Sequence, residues 1–147
     1  MKPGIDYTGV SAIFLCHDGQ GKFLMGKRGA KARDEQGAWD FGGGGIEFGE
    51  SPEEAVRREL REEYGCETIY DLQALQPYSL IRMRNDQRTH WIGFPFVIQV
   101  DPREARINEP ECTDAIGWFP LDALPEPLHP GVHLVLSAYK NRLQQGS

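Results

Sequence analysis

Three glutamates share one face of a helix that the sequence predicts over about residues 52–64. At about 100° per residue, Glu59, Glu62 and Glu63 fall within an arc of about 100°. The like charges of Glu59 and Glu63, four residues apart, are unfavourable in an isolated helix. Carboxylate oxygens are the ligands that hard divalent cations such as Mg²⁺ and Mn²⁺ prefer. The arc therefore indicates a shared cation, and the alternative is an acidic face that is merely solvated.

Local signals place both ends of this helix. Ser51 and Glu54 have the spacing of a capping box, and Pro52 fits the first helical position. Gly65 suits the left-handed conformation that ends many helices. A separate face is apolar and is predicted to be buried; it comprises Val56, Leu60 and Tyr64.

Four consecutive glycines, at positions 42–45, come shortly before the helix. They are followed by an acidic turn at residues 46–50. Glycines let the backbone pass close to a ligand and present its N–H and carbonyl groups at short range. Taken alone, such a run could equally be a flexible turn.

Joined together, the loop and the helix form one spaced pattern. It reads Gly44, five residues, Glu50, seven residues, Arg58-Glu59-Leu60, one residue, Glu62-Glu63, one residue, Gly65 and Cys66. This resembles the Nudix box, the signature of the Nudix hydrolases, with every fixed position filled. Cys66 stands where the family usually has an aliphatic residue. Gly42 stands where many relatives have proline, which should loosen the start of the loop without removing a chemical group.

The resemblance implies hydrolysis of a nucleoside diphosphate linked to another group, by attack of water on phosphorus with divalent metal ions. It assigns as metal ligands Glu59, Glu62, Glu63 and the backbone carbonyl of Gly43. Arg58 is expected to orient a catalytic glutamate through a salt bridge, and Glu50 to support the junction of loop and helix. The resemblance leaves open whether the general base is a glutamate of this helix or one of a later loop. Mg²⁺ is the expected cofactor, with Mn²⁺ as an alternative.

Further candidates lie outside the box. The loop at residues 108–114 stands where relatives place an extra metal ligand or base, so Glu109 or Glu111 could serve; a solvated acidic loop is the alternative. Arg28 ends a predicted strand where relatives contact a substrate phosphate, and an ordinary strand-end arginine is the alternative. The remaining candidates for substrate contact are Gly44, Gly45 and the aromatic residues Phe94, Phe96, Trp91 and Tyr7, each of which could instead belong to the core.

Segments outside the box resemble the MutT-like branch, whose members convert nucleoside triphosphates to a nucleoside monophosphate and pyrophosphate. These segments are residues 24–28, 47–50 and 108–118. We therefore expect a nucleoside triphosphate, including a modified one, as the substrate.

Other substrates remain as alternatives. A nucleotide sugar such as ADP-ribose is disfavoured by Ile81, which stands where relatives that hydrolyse ADP-ribose carry proline. It is favoured by a loop that could cover a second moiety, with Lys31, Arg33, Asp34 and Glu35. Dinucleoside polyphosphates are a further alternative, and RNA decapping is the least favoured because the chain is acidic. A non-catalytic, nucleotide-sensing Nudix domain is the rival from another class, but such domains usually lose box carboxylates that this chain retains.

The elements that must position these residues alternate between strands and helices. The sequence predicts a hairpin of residues 8–15 and 22–28, a strand at 68–83 broken by Pro77, and a strong strand at 88–100. A last helix carries an apolar stripe consisting of Val132, Val135, Leu136, Tyr139 and Leu143. The resemblance implies an α/β/α sandwich with a mixed central sheet, the two helices lying on different faces.

Composition sets outer limits on function. The chain has 147 residues, enough for one domain spanning 1–147, with 22 acidic and 16 basic residues and a net charge of −6. A nucleic-acid binder would normally carry a basic face, so a small-molecule nucleotide is the expected partner. The three cysteines have no metal-ligand spacing, and no apolar run is long enough for a signal peptide or a membrane span. We expect a cytoplasmic protein, and the sequence leaves a homodimer open.

Overall fold

Eight β-strands and two α-helices form the described part of the chain, residues 1–32 and 34–145 of a computed structural model. The strands are β1 (Gly9–His17), β2 (Phe23–Arg28), β3 (Trp39–Asp40), β4 (Gly43–Gly45), β5 (Ile69–Ala74), β6 (Tyr78–Arg84), β7 (Gln87–Val100) and β8 (Thr113–Phe119). The helices are α1 (Pro52–Tyr64) and α2 (Val132–Gln145), and a short 3₁₀ helix, Pro102–Glu104, follows β7. Arg33, a candidate of the loop at 29–38, lies outside the described residues.

The strands join in one mixed sheet. Its main path runs β3-β2-β1-β7-β5, with β4 beside β1, β6 beside β7, and β8 beside β2. β1 and β7 are parallel along the whole of β1, from the pair Gly9–Trp91 to the pair His17–Gln99. The other pairings are antiparallel. The predicted mixed central sheet is therefore confirmed.

The alternating side chains of β1 contribute to two apolar clusters, one on each face of the sheet. Ala12, Phe14 and Cys16 belong to the cluster that holds the buried face of α1, namely Ala55, Val56, Leu60 and Tyr64. Leu15 belongs to the other cluster, with Val132, Val135 and Ala138 of α2. The two helices thus cover opposite faces, which confirms the α/β/α sandwich.

Helix α1 has the ends that its sequence predicts. Ser51 Oγ accepts the backbone N–H of Glu54 at 3.1 Å, and Glu54 Oε1 accepts the backbone N–H of Ser51 at 3.0 Å. Gly65 adopts φ 70°, and its N–H donates to the carbonyl of Arg61 at 2.9 Å. These contacts fix where the helix begins and ends, and the packing of its buried face on the sheet fixes the rotation of the acidic arc about the helix axis.

An opening in the sheet forms beside β1. The N-terminal half of β1 pairs with β4, from Ser11–Gly45 to Ile13–Gly43. The predicted hairpin with β2 is formed at its turn end, where His17 pairs with Phe23. β2 instead follows β8 from Phe23 to Arg28. A cavity of about 290 Å³ lies where β4 and β2 diverge.

Two further strand predictions are confirmed, and the stripe on α2 needs a correction. Pro77 separates β5 from β6, and the turn at Asn85 and Asp86, both with positive φ, connects β6 to β7. On α2, Leu143 is 57% exposed, so the buried stripe ends before it. No helix within residues 1–32 and 34–145 is long and apolar enough to cross a membrane.

Candidate active site

Arg58 connects the glycine-rich loop to α1. Its Nε donates to Glu50 Oε2 at 2.7 Å, and its Nη2 donates to Glu50 Oε1 at 2.9 Å. Nη2 also donates to the carbonyl of Gly45 at 3.1 Å. The hydrogen bonds from Arg58 and from the backbone N–H of Glu47 lower the pKa of Glu50 to about 2. A two-point contact of this kind fixes both distance and orientation, so the loop is held in one position against the helix.

Two of the three box glutamates also contact Arg58. Its Nη1 donates to Glu59 Oε1 at 2.7 Å and to Glu62 Oε2 at 3.3 Å. The side chain of Glu59 is 15% exposed, whereas that of Glu62 is 49% exposed. Burial raises the pKa of Glu59 above its usual value even though Arg58 acts to lower it. Its ionised form is therefore under-stabilised, which is a condition that a bound cation would relieve.

Within the cluster, Glu63 is the glutamate whose ionised form is least favourable. Burial raises the pKa of its carboxyl well above the usual range, and the charges of Glu59 and Asp40 raise it further. Glu109 acts in the same direction. A hydrogen bond from the backbone N–H of Gly43 opposes these effects without cancelling them. Glu63 is directed into the cavity, where it is one of the lining residues.

The glycine run brings its backbone close to these carboxylates. A Cβ added to Gly44 would overlap the carboxylate of Glu59, and one added to Gly42 would lie 2.8 Å from Glu63 Oε2. Gly42 also has φ 116°, a value that proline cannot adopt, so the proline of many relatives does not fit this backbone. The glycines thus serve close approach rather than flexibility alone.

The structure separates the two loop candidates. Glu109 lines the cavity, and burial together with Glu62 raises the pKa of its carboxyl. Glu111 is exposed and is not among the cavity-lining residues that the structure describes. Of the two, Glu109 is therefore the one placed with the box glutamates.

Two residues near this cluster were not singled out by the sequence reasoning. Asp40 of β3 lines the cavity and lies 3.5 Å from Arg28, between its Oδ2 and Nη1. Asn108 donates from its side-chain amide to the carbonyl of Glu62 at 2.8 Å and from its backbone N–H to that of Glu63 at 3.1 Å. Asn108 thereby anchors the loop that carries Glu109 to the end of α1. The sequence does hold a signal for this contact, because Asn108 is an amide donor in a loop and the carbonyls at the end of a helix lack partners within the helix.

The predicted substrate contacts are distributed unevenly around the cavity. Arg28, Gly44 and Gly45 line it, as does Trp91. Phe94 packs instead against the α1-side core cluster and is not among the lining residues described. The reason is the alternation of β7, which sends Phe94 and Trp91 to opposite faces. Phe96 is buried in the same cluster as the face of α1, and Tyr7 is 49% exposed.

The carboxylates suit a divalent cation by their chemistry. In the described part of the chain, no three His, Cys, Asp or Glu side chains stand in an arrangement that would hold a metal ion as they are. Glu59 and Glu62 are instead turned to Arg58. Burial first, and neighbouring carboxylates after it, raise the pKa values of Glu59, Glu63 and Glu109, so their ionised forms are ones that a bound cation would stabilise. An all-oxygen donor set of this kind fits Mg²⁺ or Mn²⁺.

Comparison with solved structures identifies the same fold elsewhere. The MutT NUDIX hydrolase from Burkholderia pseudomallei superposes with a TM-score of 0.77 at 31% identity, covering 88% of this chain and 96% of that one. The NUDIX domain of NrtR from Shewanella oneidensis, solved with ADP ribose, has a TM-score of 0.73 at 20% identity, over 97% of this chain and 90% of that one. At 20% identity, the similarity to the NrtR domain shows a shared fold alone.

Sequence comparison identifies the family. An RNA pyrophosphohydrolase of Gluconacetobacter diazotrophicus is 34% identical over 128 residues, which are 76% of this chain and 77% of that protein. The family model of the NUDIX domain matches residues 7–139. The chain therefore belongs to the Nudix family and is a pyrophosphohydrolase that acts on phosphoanhydride bonds of nucleotide-like substrates.

Proposed function

We propose that this chain hydrolyses a nucleoside triphosphate, including a modified one, to a nucleoside monophosphate and pyrophosphate, with Mg²⁺ or Mn²⁺ as cofactor. The observation that carries the proposal is the set of mutually repelling carboxylates, Glu59, Glu63 and Glu109, beside a cavity that Arg28 also lines. A triphosphate is anionic and would be repelled by these carboxylates alone. Cations between the two remove that repulsion.

Each carboxylate of the cluster has a proposed role. The residues that would hold the metal are Glu59, Glu62, Glu63, Glu109 and the carbonyl of Gly43. Divalent ions held there would neutralise charge at the reacting phosphorus and lower the pKa of a bound water. Arg58 keeps Glu59 in place while Glu50 keeps Arg58 in place, so these two are positioning residues. A glutamate of α1, or Glu109 of the later loop, would accept the proton from the attacking water.

The size of the cavity favours one nucleoside over two. Its volume of about 290 Å³ lies just below the usual range for small-molecule sites, about 300–1,000 Å³. Trp91 offers an aromatic surface in its wall, and Arg28 offers a guanidinium for phosphate. A dinucleoside polyphosphate or a nucleotide sugar would have to place its second moiety outside this space. The 31% identical MutT NUDIX hydrolase adds support for the triphosphate.

RNA is the second candidate, because the relative from Gluconacetobacter is an RNA pyrophosphohydrolase and spans three quarters of this chain. A triphosphate at an RNA 5′ end presents the same anhydride chemistry as a free nucleotide. The net charge of −6 opposes it, since the rest of an RNA strand would gain little from an acidic protein.

The test is a comparison of kcat/KM for nucleoside triphosphates, ADP-ribose, a dinucleoside polyphosphate and a short 5′-triphosphate RNA, with Mg²⁺ and then with Mn²⁺. We expect a monophosphate and pyrophosphate from at least one nucleoside triphosphate, with kcat/KM at least about tenfold above the other classes, or about 1.4 kcal/mol of transition-state preference. A preference of that size for ADP-ribose or RNA would replace the proposal. An E63Q preparation controls for contaminating phosphatases.

A further inference from the structure

The carboxylate of Asp34 is held between two guanidinium groups from different strands. Arg28 of β2 donates from Nη2 to Asp34 Oδ1 at 2.9 Å, and Arg82 of β6 donates from Nη2 to Asp34 Oδ2 at 2.8 Å. All three side chains are mostly buried, with exposed fractions between 15% and 23%. Burial acts to raise the pKa of Asp34, but Arg28 and Arg82 outweigh it and leave that pKa below its usual value.

The surroundings of Asp34 hold further donors. Arg82 also donates from Nη1 to Glu35 Oε1 at 2.9 Å. Arg84 Nη1 lies 3.2 Å from Asp34 Oδ2, yet it is a buried atom with no hydrogen-bond partner among the described residues. His129 Nδ1 accepts the N–H of Gly131 at 3.0 Å, which assigns the proton of the neutral ring to Nε2, 3.9 Å from Asp34 Oδ1. The cluster therefore offers more donors than Asp34 and Glu35 satisfy.

This cluster belongs to the same cavity as the box glutamates. Arg28, Asp34, Arg82 and His129 line it together with Glu63. Arg28 connects the two groups, because its Nη1 lies 3.5 Å from Asp40, whose charge acts on Glu63. The cavity that Glu63 lines thus extends to Arg28 and Arg82, and an oligophosphate bound at the carboxylate cluster would extend in that direction.

A purely structural role accounts for the ion pairs of Asp34 less well than phosphate binding does. The loop at 29–38 is already attached by backbone hydrogen bonds, from Gly29 to the carbonyl of Cys112 at 2.7 Å and from Gly37 to that of Arg28 at 2.8 Å. Partly buried ion pairs also contribute little net stability because their desolvation offsets their attraction. Each guanidinium donates one N–H to the carboxylate of Asp34, and Arg28 Nε donates to its backbone carbonyl at 2.8 Å. Arginine side chains that converge on one oxyanion in this way are also well suited to bind phosphate.

We propose that Arg28 and Arg82 form a phosphate subsite, that Asp34 occupies it in the ligand-free protein, and that a substrate phosphate adjacent to the one at the carboxylate cluster displaces Asp34. The proposal rests on the proposed function in taking the ligand to be an oligophosphate. It adds Arg82 as a binding residue and makes Asp34 an internal competitor. Asp34 and Arg82 therefore have opposite effects on affinity, although they form one ion pair.

The test uses inorganic pyrophosphate as the probe, titrated into the full chain with saturating Mg²⁺ and followed by calorimetry. R82Q should bind pyrophosphate about tenfold more weakly than the wild type, because it loses charged hydrogen bonds. D34N should bind it at least about threefold more tightly, because the competing charge is gone. E35Q should shift affinity in the same direction as D34N by a smaller factor, and it provides a second measurement should D34N fold poorly. R88Q, at an exposed position of the same hairpin, is the matched control and should bind as the wild type does.

The affinities of these variants decide whether the cluster is a phosphate subsite or a structural network. If D34N and R82Q both weaken binding, the cluster is a structural network and the subsite is wrong. If D34N and E35Q, with correct melting curves, bind no pyrophosphate, the subsite is wrong as well. Because the titration measures binding of pyrophosphate and not turnover of a nucleotide, it is independent of hydrolysis. Loss of the triphosphatase activity with the binding order intact would overturn the proposed function alone.

Discussion

At Glu63, burial and three neighbouring carboxylates act in the same direction. They raise the pKa of its carboxyl, so its ionised form is less favourable in the folded chain than in the unfolded chain. A residue kept at a cost to stability is a candidate for function rather than for folding. Glu53, on the same helix, is the contrast, since its side chain is 57% exposed and pairs with Arg57 at 3.4 Å.

The first prediction compares these two glutamates. E63Q is nearly isosteric, so the fold should persist, and the metal-free protein should melt at the same or a higher temperature at pH 7 because a destabilised charge is removed. Its kcat with saturating Mg²⁺ should fall by at least about 100-fold, because charge stabilisation by held metal contributes several kcal/mol. E53Q should change kcat by less than about threefold. Equal, small effects of both substitutions would mean that the acidic face is only solvated.

At the scale of elements, the junction of loop and helix depends on the pair Glu50–Arg58. The folded pKa of Glu50, about 2, lies below its unfolded value, which is about 4.3. A group with a lowered folded pKa stabilises the fold above its unfolded pKa and loses that contribution as the pH falls through its folded pKa. The contribution of Glu50 is thus complete above about pH 4.3 and disappears towards about pH 2.

The second prediction follows from the lowered pKa of Glu50 in the folded chain. In EDTA, E50Q should melt at a lower temperature than the wild type at pH 6, and the two melting temperatures should converge between about pH 4.3 and about pH 2. E53Q again serves as the control and should show no such convergence of comparable size. A difference between E50Q and the wild type that stays constant down to pH 2 would contradict the role of the ionised Glu50.

The short strand β4 offers a matched pair of glycines for the third prediction. A methyl group on Gly44 would overlap the carboxylate of Glu59, whereas one on Gly45 would meet nothing within 4 Å. G44A should therefore lower kcat/KM by at least about tenfold by displacing Glu59, since small misplacements at a reacting centre are costly. G45A should lower kcat/KM by a smaller factor than G44A, because its methyl group displaces no carboxylate. Both variants should fold, as checked by circular dichroism, and similar losses in both would indicate that the backbone of β4, not Glu59, is the sensitive part.

The elements differ in how far the sequence could predict them. Helix α1 was predicted to the residue because Ser51, Glu54 and Gly65 fix its ends through contacts within a few residues. The parallel pairing of β1 with β7 joins segments about 80 residues apart, as in the pair Gly9–Trp91, and no local pattern specifies it. That pairing determines which side chains of β7 face the cavity, so Trp91 could not be chosen over Phe94 from sequence. Asn108 was missed for the same reason, since its partner Glu62 lies 46 residues away. Asp40 was missed because its contact with Arg28 depends on the pairing of β2 with the two-residue strand β3.

For the whole molecule, net charge and site chemistry oppose each other. The chain carries −6, yet its substrates are anions. In the proposed subsite, Arg28 and Arg82 would supply positive charge to a phosphate that displaces Asp34, while acidic residues outnumber basic ones over the chain. A free nucleotide meets mainly the cavity. An RNA strand would also meet the field of the rest of the protein.

The last prediction uses this difference to separate the two candidate substrates. Raising ionic strength from about 0.02 M to about 0.2 M shortens the Debye length from about 20 Å to about 7 Å, which screens long-range repulsion more than contacts within the cavity. With saturating Mg²⁺, kcat/KM for a 5′-triphosphate RNA should therefore rise with salt, while that for a nucleoside triphosphate should change less. A protein that binds the RNA backbone through lysines and arginines loses affinity as salt rises, because bound counterions are no longer released favourably. A fall of kcat/KM for RNA over this range, steeper than that for the free nucleotide, would show such backbone contacts and would favour RNA as the substrate.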